Sequence, residues 1–196
     1  NSPCELAFHS LHVLRQLPLS LPSFPLALLR HTECACYIGA MHSIRLRGPW
    51  QLEPVCRYVR RSDGKFESQT DELPPPARLH MPADWSAAFG PDFLGRVRCV
   101  RTFNTPPGLV PEERVWLVVE PQRSTARVMM GDDTLGVVAA EGEPLRVDIT
   151  HRLGNFNRLE IIVEHPALVQ GKSAVGEPKQ LPPGGLIGEV RLEIEE

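Results

Sequence analysis

From Arg114 to Glu195 the apolar residues of this chain fall on every second position, in segments separated by turn-forming residues. A two-residue period puts alternate side chains on one face of a β-strand. In RVWLVVE the inward set is Val115, Leu117 and Val119; in ARVMM it is Ala126, Val128 and Met130; in RLEIIVE it is Leu159, Ile161 and Val163. EVRLEIEE closes the series. There Val190, Leu192 and Ile194 alternate with Glu189, Arg191, Glu193 and Glu195, which predicts one buried and one solvated face.

The regular pattern begins at Ile44. IRLRGPWQLEP opens with an alternating strand and a Gly-Pro break, VCRYVR follows, and RSDGKFESQTDELPPP predicts an Asp-Gly turn and a rigid proline connection. ARLHMPADW supplies another strand, WSAAFGPDF a surface loop or one helical turn, and NTPPGLVPEE a connector between GRVRCVRTF and RVWLVVE. The pair Asp132-Asp133 predicts a tight hairpin between ARVMM and TLGVV, because Asp tolerates left-handed backbone. DIT, Asp148 to Thr150, is a place for side chains to bond nearby backbone at a strand end, and GGLIGEV for a bend into the last strand. About eight to ten strands with no long helix predict an all-β fold, an antiparallel β-sandwich or jelly roll, since an open sheet of that size leaves one apolar face uncovered.

Residues 1–43 read as an irregular N-terminal arm or an extraneous leader, and 44–196 as the domain. Pro18, Pro22 and Pro25 interrupt the Leu-rich stretch and would break a membrane-spanning helix. The segment also lacks an initiator Met, a compact basic start and a small-residue cleavage site.

Composition narrows the partners. A chain of 196 residues supports one good core, and its 20 prolines and 15 glycines suit short strands joined by turns. A net charge of -3, with Arg and Glu mixed on the same strands, argues against nucleic acid and against an anionic membrane. The five cysteines, Cys4, Cys34, Cys36, Cys56 and Cys99, are odd in number and irregularly spaced, which favours a reducing compartment such as the cytoplasm over a disulfide framework. Cys99, on the Val97 and Phe103 side of its strand, reads as a small buried hydrophobe.

Chemistry-bearing patterns are sparse. Glu120, Glu160, Glu164, Glu189 and Glu193 occupy outward strand positions beside Arg residues, so they read as a solvated face, and no catalytic residue is assigned. His31, Glu33, Cys34 and Cys36, with His42 downstream, are zinc-competent types without the second pair that closes a tetrahedral site. No metal or cofactor is assigned. GGLIGEV lacks the Lys-Ser/Thr ending of a phosphate loop and precedes a strand.

Seven segments, IRLRGPWQLEP, LHMPADW, GRVRCVRTF, RVWLVVE, ARVMMGDDTLG, LRVDITHRLGNFNRLEIIVE and GGLIGEVRLEI, occur in an order that resembles the sugar-binding domain of glycoside hydrolase family two. That domain is the amino-terminal jelly roll of β-galactosidases, β-glucuronidases and β-mannosidases, with a galactose-binding-like fold. The resemblance spans roughly Ile44 to Glu195. It departs from the family pattern at Gly131-Asp132, where Asn-Gly is usual, and at Cys99, where an aromatic residue is common. The sequence ends after EIEE, where the family's immunoglobulin-like domain and catalytic (β/α)₈ barrel would begin.

The resemblance implies a non-catalytic carbohydrate-binding module, with a carbohydrate and a glycosidase catalytic domain or subunit as its partners. Alternatives are a piece of a glycosidase whose barrel lies elsewhere, and a structural interaction module without sugar affinity. A sugar site needs an aromatic face against the ring and polar neighbours for its hydroxyls. Trp85, in the PADW loop beside Asp84, is the preferred ligand residue; Trp116 lies on the outward side of RVWLVVE; and Trp50 reads as a plug at one end of the sandwich.

Overall fold

The structure, a computed structural model, describes residues 41–140, 142–166, 168–169, 172–173 and 181–196. His31, Glu33, Cys34, Cys36, Cys4 and the three prolines of the Leu-rich stretch lie outside these residues.

Among the described residues there are fifteen strands and a single α-helical turn, α1 (Ser86–Phe89). In chain order they are β1 (His42–Arg45), β2 (Trp50–Arg60), β3 (Phe66–Gln69), β4 (Ala77–Leu79), β5 (Ala83–Asp84), β6 (Gly95–Phe103), β7 (Arg114–Val119) and β8 (Thr125–Met130). They continue as β9 (Asp133–Val138), β10 (Leu145–Asp148), β11 (Asn157–His165), β12 (Leu168–Val169), β13 (Lys172–Ser173), β14 (Gly185–Leu186) and β15 (Val190–Glu195). A four-stranded sheet runs β1-β15-β7-β10, and a seven-stranded sheet runs β3-β2-β6-β11-β8-β9 with β4 beside β2. Every pairing in them is antiparallel. The fold is an all-β antiparallel sandwich.

Its core is the predicted alternation made solid. Val115, Leu117, Val119, Val190, Leu192 and Ile194 from the smaller sheet meet Leu52, Val97, Cys99, Ala126, Val128, Leu159, Ile161 and Val163 from the larger, all buried in one cluster. At about 25 cal/mol per Å² of apolar surface removed from water, this interleaving is the main force holding two faces together that could not stand exposed. Burial also pushes the Cys99 thiol up to about 12, so it stays protonated, as a small hydrophobe should.

Two local outcomes differ from the sequence reading. The hairpin between β8 and β9 forms, with Met130 opposite Asp133, but the left-handed residue is Gly131 at φ 59 rather than an aspartate. Glycine has no Cβ to clash there, so it takes the position. WQLEPVCRYVR, read as the end of one segment and the start of another, is a single 11-residue strand with a bulge between Pro54 and Cys56.

That bulge changes which face the second half presents. One extra residue reverses the alternation. Trp50 and Leu52 therefore enter the core, while Cys56 lies opposite Arg96 on the outer face and Tyr58 donates its hydroxyl hydrogen to Glu164 at 2.6 Å. Among the described residues, no helix is long and apolar enough to cross a membrane.

Candidate functional site

Where β1 and β6 end, residues on the inner rows of both sheets open into a cleft of about 570 Å³. The smaller sheet contributes Ile44 and Leu192, the larger Arg101 and Phe103, and the connector after β6 contributes Thr105. Phe156 forms one wall. The same ring borders a second cleft of about 520 Å³, lined on its far side by Asp133, His151 and Arg152.

Phe156 is 87 % exposed, the most exposed large apolar side chain among the described residues. Its turn is nevertheless tightly fixed. The buried Asn157 accepts from the Gly154 amide at 2.9 Å and donates to the Gly154 carbonyl at 2.9 Å and the Phe103 carbonyl at 3.3 Å. Thr105 adds a hydroxyl bond to the Gly154 carbonyl at 2.7 Å. Phe156 is not among the aromatic residues that the sequence marks as ligand candidates, which are all tryptophans. GNFN was the available signal: an aromatic residue set among Gly and Asn in a turn has no core face to enter.

The charges around the clefts are mostly neutralised. Arg152 meets Asp133 at 2.7 Å, Arg158 meets Glu160 at 2.6 Å, and Arg45 meets Glu189 at 2.7 Å. Arg101 differs. It donates through Nη1 to the Pro49 carbonyl at 2.9 Å, its Nε is buried with no partner, and no carboxylate among the described residues lies within ion-pair distance.

The residues expected to bind a ligand are dispersed. Trp85 is 0 % exposed, with Phe93 and His165 packed edge-on at centroid distances of 6.0 and 6.3 Å, and its indole N–H donates to the Phe93 carbonyl at 3.2 Å. It presents no open face on which a ring could stack. Asp84 is turned to local work: it accepts from the Ser86 amide at 2.9 Å and from the Ser86 hydroxyl, and these bonds hold its carboxyl below the usual carboxylate range. The adjacent pair divides in this way because β5 sends Trp85 inward just as Asp84 anchors the start of α1. Trp50 is likewise buried, donating to the Leu46 carbonyl at 2.7 Å.

Trp116 does lie on the outer face of the smaller sheet. Its ring is half-buried beneath the Arg146 guanidinium, 3.9 Å from the centroid, a cation–π contact, and its indole N–H has no partner. Arg146 in turn reaches Glu193 at 3.2 Å and Glu195 at 2.5 Å, and Arg191 bridges Glu193 at 2.9 Å and Glu120 at 2.7 Å. On the other sheet Glu164 takes the Tyr58 hydroxyl and faces Arg96 at 3.6 Å. The strand carboxylates are thus engaged with arginines in ladders across both outer faces. No group of three or more metal-ligating side chains occurs among the described residues.

Comparison with known proteins gives a fold. No family model matches this chain, and no curated protein does. Among solved structures, an FMN-binding β-glucuronidase from Facaelibacterium prausnitzii L2-6 superposes with a TM-score of 0.61 at 20 % identity, over 80 % of this chain and 23 % of that one. A Bifidobacterium dentium β-glucuronidase complexed with coumarin-3-O-glucuronide gives 0.55 at 19 % identity, over 79 % and 30 %. A GH2 β-galacturonidase from Eisenbergiella tayi bound to galacturonate gives 0.52 at 14 %, over 80 % and 24 %. The sandwich shares its fold with one part of these glycosidases. The chain spans less than a third of the length of each.

Proposed function

We propose that this chain is a non-catalytic carbohydrate-binding module of the jelly-roll type that accompanies family-two glycosidases, and that it takes its sugar at the Phe156 clefts. The observation that carries the reading is the 87 % exposed Phe156 ring, held on a pinned turn between two clefts. A flat apolar ring suits the C–H face of a pyranose, and the Thr102 hydroxyl, the Asn104 amide and the His151 imidazole around it suit the sugar's hydroxyls. Shallow, partly polar sites of this kind bind weakly. A dissociation constant on the order of 1 mM corresponds to about 4 kcal/mol.

Saturation-transfer NMR and calorimetric titration of the folded protein with mono- and oligosaccharides test the reading. Binding that disappears in Phe156→Ala, with the thermal midpoint unchanged, supports it. Silence toward every sugar at millimolar concentration refutes it.

A second reading places the sugar at Trp116, whose half-buried ring lies under Arg146 on the outer face and whose buried indole N–H has no partner among the described residues. Affinity lost in Trp116→Ala but kept in Phe156→Ala would move the site there. A glycosidase catalytic domain, in the same polypeptide or another subunit, is the partner this module implies, and it would supply the O-glycosyl hydrolysis. Sequencing the coding region beyond Glu196 tests that implication: continuation into a barrel bearing a pair of glutamates supports it, and a stop codon there removes the single-chain version.

A further inference from the structure

We propose that the two clefts at Phe156 are one site for the interior of a glycan chain, a run of two or three linked sugar rings, with a stacking subsite on one side of the ring and a diol-binding subsite on the other. The inference rests on the sugar-binding reading above and adds the length of the ligand and the part of it that is read.

Strand order sets the span. In the larger sheet β6, β11 and β8 lie side by side, and the turn that carries Phe156 leads into β11 between the other two. At this end of the sheet Phe103 of β6 stands opposite Asn157, and Met130 of β8 opposite Leu159. One cleft takes Phe103 as a wall and the other takes Met130, while Phe156 lines both. Two strand spacings, roughly 10 Å, separate β6 from β8. A single pyranose fills one cleft and reaches no further, whereas two or three linked rings cover both.

The path between the clefts is clear. Phe156 is 87 % exposed, so no described residue roofs the ring that the chain would pass. Both clefts are open rather than enclosed, with volumes of about 570 and 520 Å³ that each admit a sugar ring. A site that reads a chain end needs a wall beyond the last ring, and an open run on both sides of an aromatic residue suits a chain that continues. The bonds from Asn157 and Thr105 to the Gly154 turn fix Phe156 before any ligand arrives, which lowers the ordering cost of binding.

The two sides differ in chemistry. Ile44, Leu46, Phe103 and Leu192 make the first cleft apolar around the Phe156 ring, with Thr102 and Asn104 exposed at its rim. That side favours stacking against the C–H face of a ring. The second cleft holds the Arg152–Asp133 pair, joined at 2.7 Å through one guanidinium nitrogen and one carboxylate oxygen, with His151 beside it. The second oxygen of Asp133 and the other nitrogens of Arg152 have no partner among the described residues. An acceptor next to a donor matches two adjacent hydroxyls, one giving and one taking a hydrogen. Both side chains are exposed, and a surface ion pair of this kind contributes little to stability, so it can be removed with the fold intact.

Isothermal titration of the full chain with malto-, cello- and β-1,4-galacto-oligosaccharides of one to five units tests the span. In at least one series affinity should rise about tenfold or more from monosaccharide to trisaccharide, as the second subsite is engaged, and then stay within about twofold to the pentasaccharide. Borohydride reduction of the terminal ring of the pentasaccharide should leave its affinity within about twofold, because three intact rings remain. The double substitution Asp133→Ala/Arg152→Ala should bring the trisaccharide down to monosaccharide affinity and leave the monosaccharide itself unchanged. Amide shifts in the unaltered protein cover the case in which that variant fails to fold: a monosaccharide should move residues 102–104 and 154–157, and a trisaccharide should extend the shifts to 131–133 and 151–152.

Affinity that is flat with chain length, lost on reducing the chain end, or undiminished in the double variant would overturn the inference while leaving sugar binding intact. So would trisaccharide shifts that stop at Phe156. Silence toward every member of all three series, monosaccharides included, would remove the sugar-binding reading itself.

Discussion

Gln122 offers the most exacting test of how this sandwich is held together. It is buried in the loop between β7 and β8, donates to the Glu120 carbonyl at 2.6 Å, and accepts from the amides of Ile187 at 2.7 Å and Gly188 at 2.9 Å. One side chain thus ties that loop to the segment that delivers β15 into the smaller sheet. Gln122→Leu keeps the volume and deletes all three bonds. Each stranded backbone group costs about 1 kcal/mol at the lower end of the range, the appropriate end because Ile187 and Gly188 are half-buried and partly reachable by water. The added apolar burial of leucine returns about 1 kcal/mol, leaving a net loss of about 2 kcal/mol.

That loss lowers the folded-to-unfolded ratio about thirtyfold and the melting temperature by about 4–8 °C for a domain of this size. Urea unfolding followed by the fluorescence of buried Trp50 and Trp85 measures it, with an unchanged m-value showing that the transition itself is the same. Gln122→Glu keeps the oxygen that accepts from both amides but turns a second oxygen toward the Glu120 carbonyl, so it should fall between wild type and Gln122→Leu and approach wild type as pH falls and the carboxyl protonates. A Gln122→Leu protein within about 0.5 kcal/mol of wild type would show that water or loop relaxation replaces the clamp, and the reasoning would fail.

Gly95→Ala should destabilise the domain by about 1–3 kcal/mol, because an added Cβ would lie 2.1 Å from the Cys56 carbonyl oxygen at the β2 bulge and backbone cannot swing aside as a side chain can. Gly154→Ala, where nothing lies within 4 Å, serves as the control and should be near neutral in the same denaturation assay. His165 gives a pH dependence. Burial depresses its basicity below the ordinary value of 6.5; its Nδ1 accepts from the Ser124 hydroxyl at 2.5 Å and its Nε2 donates to the Pro182 carbonyl at 2.8 Å. Below about pH 6.5 the unfolded chain takes a proton that the folded one refuses, so stability falls as pH drops through that range and is flat above about pH 7. Denaturation midpoints measured from pH 7.5 to 5 should show this slope and lose it in His165→Gln; an unchanged slope would assign it elsewhere. Asp84 and Asp148, held low chiefly by bonds from Ser86 and Thr150, contribute only at more acidic pH, below about 4.

The strands of the second half were legible because their chemistry is local and repetitive. Val115, Leu117 and Val119, or Leu159, Ile161 and Val163, state their burial through spacing alone, and each set lies in the core. The DIT segment was equally legible: Asp148 accepts from the Thr150 amide at 2.9 Å and hydroxyl at 2.6 Å, a pattern confined to three residues. The candidate site was not legible in the same way. Trp85 and Asp84 are neighbours in sequence, yet one enters the core and the other bonds Ser86, since direction at a strand-to-helix junction depends on what the rest of the fold packs there. Arg101 and Phe156, 55 residues apart in numbering, meet at one cleft only because β6 and β11 pair with Phe103 opposite Asn157.

The sequence by itself determined that this protein would be a sandwich of antiparallel strands, because a two-residue period leaves each sheet with one apolar face that must be covered by another. Tertiary structure alone decided which side chains that covering leaves available. The bulge in β2 turned Cys56 and Tyr58 outward against the parity of Trp50 and Leu52, the core absorbed Trp85, and the turn fixed by Asn157 left Phe156 in solvent. Periodicity specifies a face, but the direction, pairing and exposure of a particular residue depend on contacts made across the whole chain, and the site is made of such residues.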